Sequence, residues 1–140
     1  MEVQSNMASI KEIEGIGPKF AARLAENGVR TTEQLLEAAN TATKRMRLAD
    51  ESQLNEEQIL HWVHQADLFR VKGIGEEFAE LLVRAGVVTV PKLAYRSATN
   101  LHEELVAVND EHHLVRRLPS VDELEHMIAS AKKLPKIIQH

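Results

Sequence analysis

The chain has 140 residues, 44% of them hydrophobic, which suits one domain with a real core; with only five aromatics, that core must come mostly from Leu, Ile, Val and Ala. It has no cysteine, so disulfides, thiolate zinc sites and cysteine nucleophiles are excluded. The net charge of −4 runs against the basic excess usual in nucleic-acid binders, and with no 18-residue apolar run and no charged-then-apolar leader we expect a cytoplasmic protein without a membrane span.

After a tail over residues 1–8, Ser9 with Glu12 three residues on reads as a capping box for a short helix ending before Gly15. Pro18 suits the first turn of the next helix, where its missing N–H would have gone unpaired anyway. That helix runs to about Asn27, and Gly28 is the left-handed residue that ends it. Thr31, with Gln34 three on, caps a helix through the alanines at 38–39. A segment around Thr43–Ala49 follows, then a longer helix over about 55–71. Ile59, Trp62, Val63, Ala66 and Phe69 fall on one face of it, the pattern of core residues rather than of a stacking surface. The order then repeats: a turn at 73–75, helices at about 76–85, 90–96 and 99–108, and a loop around Asn109–His113. A last helix spans about 120–134, stopped by Pro135, and residues 135–140 are left as a tail. No stretch of four or more residues alternates as a strand. The expected fold class is all-α.

Two segments share a pattern at an offset of 58. Gly15/Gly73, Ile16/Ile74, Gly17/Gly75, Phe20/Phe78, Ala21/Ala79, Leu24/Leu82, Gly28/Gly86, Val29/Val87, Thr31/Thr89 and Leu35/Leu93 are identical pairs, which indicates an internal duplication. At an offset of 65, Leu124, Met127, Ile128 and Ala131 repeat the spacing of Ile59, Trp62, Val63 and Ala66. The helix at 55–71 therefore serves twice, in a first unit of about 9–71 and a second of about 55–134, and the two units form a single domain over 9–134.

An apolar residue, then x-Gly-Ile-Gly, an amphipathic helix, Gly-Val and a capping Thr together resemble the helix–hairpin–helix superfamily. The doubled form resembles an uncharacterised prokaryotic family with tandem units of this kind, and the likeness covers roughly 10–134. It implies a SAM-like, helix–hairpin–helix architecture. It also implies contacts to the phosphate backbone, which position a partner without reading its sequence. The physical basis is the Gly-x-Gly turn. It lets the backbone approach a ligand closely, and its second glycine precedes a helix N-terminus whose free N–H groups and dipole favour an anion. Ile16 and Ile74 turn inward to tie the helices together. The plainer reading is that the glycines only make a tight turn.

The two turns differ in charge. Lys19 and Arg23 follow the first, and Lys19 stands where the superfamily's phosphate-binding form carries a basic residue. Glu76, Glu77 and Glu80 follow the second and would repel phosphate. Residues 1–50 hold seven basic and seven acidic residues, whereas 51–140 hold ten and 14. The expected nucleic-acid site is therefore Gly15, Ile16, Gly17, Lys19 and Arg23, with DNA favoured over RNA, while Gly73, Ile74 and Gly75 are structural. Lys44-Arg45-Met46-Arg47 reads equally as a backbone-contact patch or a solvated turn.

His61, His64 and Asp67 suggest a metal site by composition, but they lie off the apolar face with no evident third ligand, so a solvated face is expected and no metal. His112 and His113 read as exposed. Glycosylases with this hairpin place a catalytic Asp about twenty residues past it, and the windows Gln34–Asn40 and Lys92–Ala98 hold none. No phosphate loop, catalytic triad or paired carboxylates stand out. The expectation is a non-catalytic binding module with no cofactor. The competing reading is a protein-interaction or oligomerisation module, with Val87-Val88-x-Val90 and the Glu-rich second hairpin as its contact surface; the plainer reading is that these valines pack under the second unit.

Overall fold

Short polar side chains decide where most of the helices begin. The computed structural model describes residues 8–140. It opens with a single 3-10 turn over Ile10–Glu12, followed by α1 (Pro18–Glu26), α2 (Thr32–Ala39), α3 (Ala42–Ser52), α4 (Glu56–Leu68), α5 (Glu76–Arg84), α6 (Val90–Ala94), α7 (Ala98–His112) and α8 (Val121–Lys132). Thr31, Thr41, Asn55, Thr89, Ser97 and Ser120 each accept a first-turn N–H of their own helix. Thr31 with Gln34 and Ser120 with Glu123 complete capping boxes. Only α1 and α5 start without a side-chain cap, at Gly17 and Gly75. Among the described residues the one β-type contact is an isolated bridge between Ser9 and Thr31. The fold is all-α and forms a single domain.

Three expected boundaries move. Ser9 accepts from the Lys11 N–H, so the expected capping box with Glu12 is a plain cap on one 3-10 turn. The segment around Thr43–Ala49 is the middle of the full helix α3, closed by Gln53 in the left-handed region (φ 58°). The polar run Asn109–His112, expected as loop, continues α7, since nothing there removes a donor or forces a break. The helix ends at His113 (φ 53°), and Asn109 Oδ1 then accepts from the Leu114 and Val115 N–H groups.

Helix α4 is the spine. It packs on α2 and α3 and also on α5, and α8 packs on α6 and α7. Ile59, Trp62, Val63, Ala66 and Phe69 are all buried, with the Trp62 ring 5.4 Å from that of Phe20. The polar positions of α4 do not form the expected solvated face. Asp67 is 0% exposed; its Oδ1 accepts from Arg70 Nη1 and its Oδ2 from the Val90 N–H, both at 2.7 Å. A carboxylate buried at α4 thus serves the first turn of α6. Val87 and Val90 are buried as well, and Val88 half-buried, so of the two readings of this stretch the plainer holds and it packs under the second half.

Residues 135–140 carry no helix, yet they are part of the fold rather than a tail. Ile138 joins the core, and the Gln139 N–H donates to the Asn40 carbonyl at 2.8 Å. Arg45, 3% exposed, donates to the Ala39 and Gln139 carbonyls. The centre of the Lys44–Arg47 run is therefore neither a backbone-contact patch nor a solvated turn; it is a clamp on the C-terminal segment. Of the expected tail over 1–8, residues 1–7 lie outside the described residues, and the Ala8 carbonyl accepts the Thr32 N–H.

The end of this segment sets a pH dependence. His64 and His140 face each other with Nε2 atoms 3.0 Å apart, a distance that needs at least one unprotonated nitrogen. Burial first, then His140, His61, Arg45 and Lys92, lowers His64 from 6.5 to about 4. The unfolded chain therefore binds the proton more tightly than the folded one. Stability should fall as pH drops from about 6.5 to about 4, and this group should cause no further loss below that. His64→Gln should flatten that part of the melting-temperature profile, as thermal melts between those pH values will show.

Candidate nucleic-acid interface

The first hairpin is built around Gly15, at φ +96°, and the second around Gly73, at φ +97°. A Cβ on Gly15 would stand 3.4 Å from Trp62 Nε1, and one on Gly73 3.4 Å from Met127 Cε. Trp62 and Met127 are the residues that the 65-residue offset pairs, so each glycine rests on the matching position of the helix behind it. Ile16 and Ile74 are buried beneath their turns, as expected. Buried Gln65 clasps the first hairpin alone: its Oε1 accepts the Glu14 N–H and its Nε2 donates to the Glu14 carbonyl, both at 3.3 Å.

The outer glycines behave differently. Gly17 and Gly75 have ordinary negative φ values, and a Cβ on either would meet nothing within 4 Å. Replacing Gly15 or Gly73 by alanine should thus cost about 1–2 kcal/mol, because a side chain is strained in that backbone region. Gly17→Ala and Gly75→Ala should stay within about 0.5 kcal/mol. Urea unfolding of the four variants will separate the two pairs.

Beyond Gly17, α1 has no acidic residue in its first turn. Lys19 and Arg23 are both exposed and form no ion pair among the described residues. Arg23 is not free, since its Nη1 donates at 3.2 Å to the carbonyl of Gln53, where α3 ends. That keeps the guanidinium on the first half while four of its five donors remain available. Of the other cations near in sequence, Lys44 donates to the Glu37 carbonyl and Arg45 is buried.

Through space, the two hairpins are less unequal than their neighbouring sequences suggest. A cleft beside Gly15 is lined by Glu14, Glu57, Glu80, Arg84, His61 and Trp62 among others, bringing three carboxylates close to the basic hairpin. Beside Gly73 and Gly75 a second cleft holds Glu76 and Glu77, but also Arg116 and Arg117. Arg117 pairs with Glu123 at 2.8 Å, whose carboxyl is held below the usual range by the Ser120 N–H and by that arginine. Glu80 is not a competing carboxylate at the second helix start: it is buried and bound to Arg84 four residues on. Reading along the chain missed these neighbours, because Arg116 lies about forty residues beyond Glu76 and nothing in the intervening sequence announces the contact.

Among the described residues, no three His, Asp or Glu side chains converge as a metal site. No helix among them is long and apolar enough to cross a membrane. A family model described as a domain of unknown function (DUF4332) matches residues 14–134. No solved structure matches the chain.

Proposed function

We propose, for a chain that belongs to this DUF4332 family, a non-catalytic binding module of the helix–hairpin–helix kind that holds the nucleic-acid backbone without sequence preference through its first hairpin. Gly15, Ile16 and Gly17 shape the turn, and Lys19 and Arg23 supply charge. One observation carries this reading. Six helices begin under a polar side chain, whereas α1 begins at a bare glycine with open space around it, no acid in its first turn and Lys19 exposed there. Free N–H groups, the helix dipole and the charge of Lys19 belong to the same helix start, which is the chemistry that receives a phosphate. The second hairpin shares the bare start but carries Glu76 and Glu77 in its first turn, and those carboxylates already occupy the favourable end of the dipole.

A salt titration with a labelled duplex and a single strand tests the proposal. Affinity should fall by roughly 0.9 log unit per log unit of salt for each duplex phosphate neutralised, independent of sequence and stronger for DNA than RNA. Binding indifferent to salt, or none at low salt, would remove the reading.

The carboxylates beside Gly15, together with the net charge of −4, favour a second reading: a protein-interaction module in which both hairpins are structural. An acidic surface opposes the long-range approach of nucleic acid. A domain of this charge acts on nucleic acid best when another protein, or a second copy, holds it there.

A further inference from the structure

The cleft beside the first hairpin contains an acceptor without a donor. Glu80 is buried, its side chain 7% exposed. Oε2 accepts from Arg84 Nε at 2.8 Å, but Oε1 is buried without a hydrogen bond. His61 Nε2 stands 3.5 Å from it, close enough to sense the charge but outside a good hydrogen bond. An ionised carboxylate only accepts, so whatever satisfies Oε1 must bring N–H or O–H donors. Glu14 and Glu57 line the same cleft and are exposed, which favours a donor that is also a cation.

Size and shape narrow the guest. The carboxylates do not converge as metal ligands, and the cleft, of about 740 Å³, is far larger than an ion needs. It is also broad and open to solvent, whereas small-molecule sites enclose most of their ligand. A charged side chain projecting from a larger surface fits both facts. We propose that this cleft, with Glu80 at its base and Glu14 and Glu57 around it, receives an arginine or lysine side chain of a basic protein partner. The partly exposed His61 ring swings aside so that the guest's N–H groups reach the buried Glu80 Oε1, leaving Oε2 to Arg84, and the two exposed carboxylates attract it. This site borders the proposed phosphate site at Gly15 but is lined by neither Lys19 nor Arg23.

Trp62 lines the cleft and is the only tryptophan, so its emission reports on the site directly. The full chain would be titrated with acetyl-Gly-Arg-Gly-amide, its lysine counterpart, its uncharged citrulline counterpart and spermidine. We expect saturable, salt-sensitive shifts with the arginine and lysine peptides, and binding at least about 10-fold weaker with citrulline, since only charge-assisted donors match the carboxylate. Glu80→Gln should weaken the arginine peptide about 10-fold or more. Should that variant fail to fold by circular dichroism, Glu14→Gln with Glu57→Gln, both at exposed positions, should still weaken it about 3-fold or more. Lys19→Glu should not weaken peptide binding, which separates this site from the proposed phosphate site. Equal response to arginine and citrulline, no response to either, or undiminished binding by the folded glutamine variants would overturn the proposal. Spermidine binding in the absence of peptide binding would overturn the protein partner.

Discussion

Asp67→Ala is expected to destabilise the domain by about 3–5 kcal/mol, the usual cost of removing one member of a buried charge pair. The carboxylate is fully buried and bonded at 2.7 Å both to Arg70 and to the Val90 N–H. Its loss strands a guanidinium whose own side chain is only 9% exposed, and leaves a buried N–H of α6 without its acceptor. Arg70 Nη2 would keep the Pro135 carbonyl, which limits but does not cancel the effect. Asp67→Asn should cost less, since the amide oxygen can still serve Val90. Glu104→Ala, which removes the exposed partner of Arg96, should cost no more than about 1 kcal/mol. Urea unfolding of the three variants gives the order, and an Asp67→Ala loss no larger than that of Glu104→Ala would show that Asp67 is not the bridge between the two halves.

Reversing charge on α1 is expected to have the largest effect on binding. Lys19→Glu with Arg23→Glu should take duplex affinity below detection at physiological salt, and each phosphate that is no longer neutralised should lower the salt slope by about 1. Because Arg23 also bonds the Gln53 carbonyl, Lys19→Glu alone is the cleaner probe, and melting curves should show both proteins folded. Glu76→Lys with Glu77→Lys should strengthen binding, because these changes remove the carboxylates from the first turn of α5 and place two cations beside Arg116 and Arg117. Gly17→Ala should weaken binding without loss of stability, since the added methyl stands in open space over the helix start. Binding that survives the double reversal in a folded protein would shift the weight to the protein-interaction reading.

What the sequence determined by itself is what one or two helical turns decide. Thr31 with Gln34 starts α2, Gly28 ends α1, and Ile16 and Ile74 point inward, because each outcome depends on atoms within a few residues along the chain. The glycine turns and the apolar face of α4 were legible for the same reason, since left-handed glycines and a 3.6-residue apolar period are local patterns. The residues of the candidate site form a local run of sequence, but their surroundings do not. Asp67, Arg45 and Glu80 look like solvated surface charges until the packing of distant helices removes water from them. Asp67 meets the Val90 N–H, Arg45 meets the Gln139 carbonyl, and Glu80, bonded locally to Arg84, comes to lie beside His61; only the packing of distant segments brings these together. The charge around each hairpin was likewise decided by tertiary structure, which sets Glu57 and Glu80 beside the basic turn and Arg116 and Arg117 beside the acidic one. Electrostatic interaction falls with distance through space, whatever the separation along the chain.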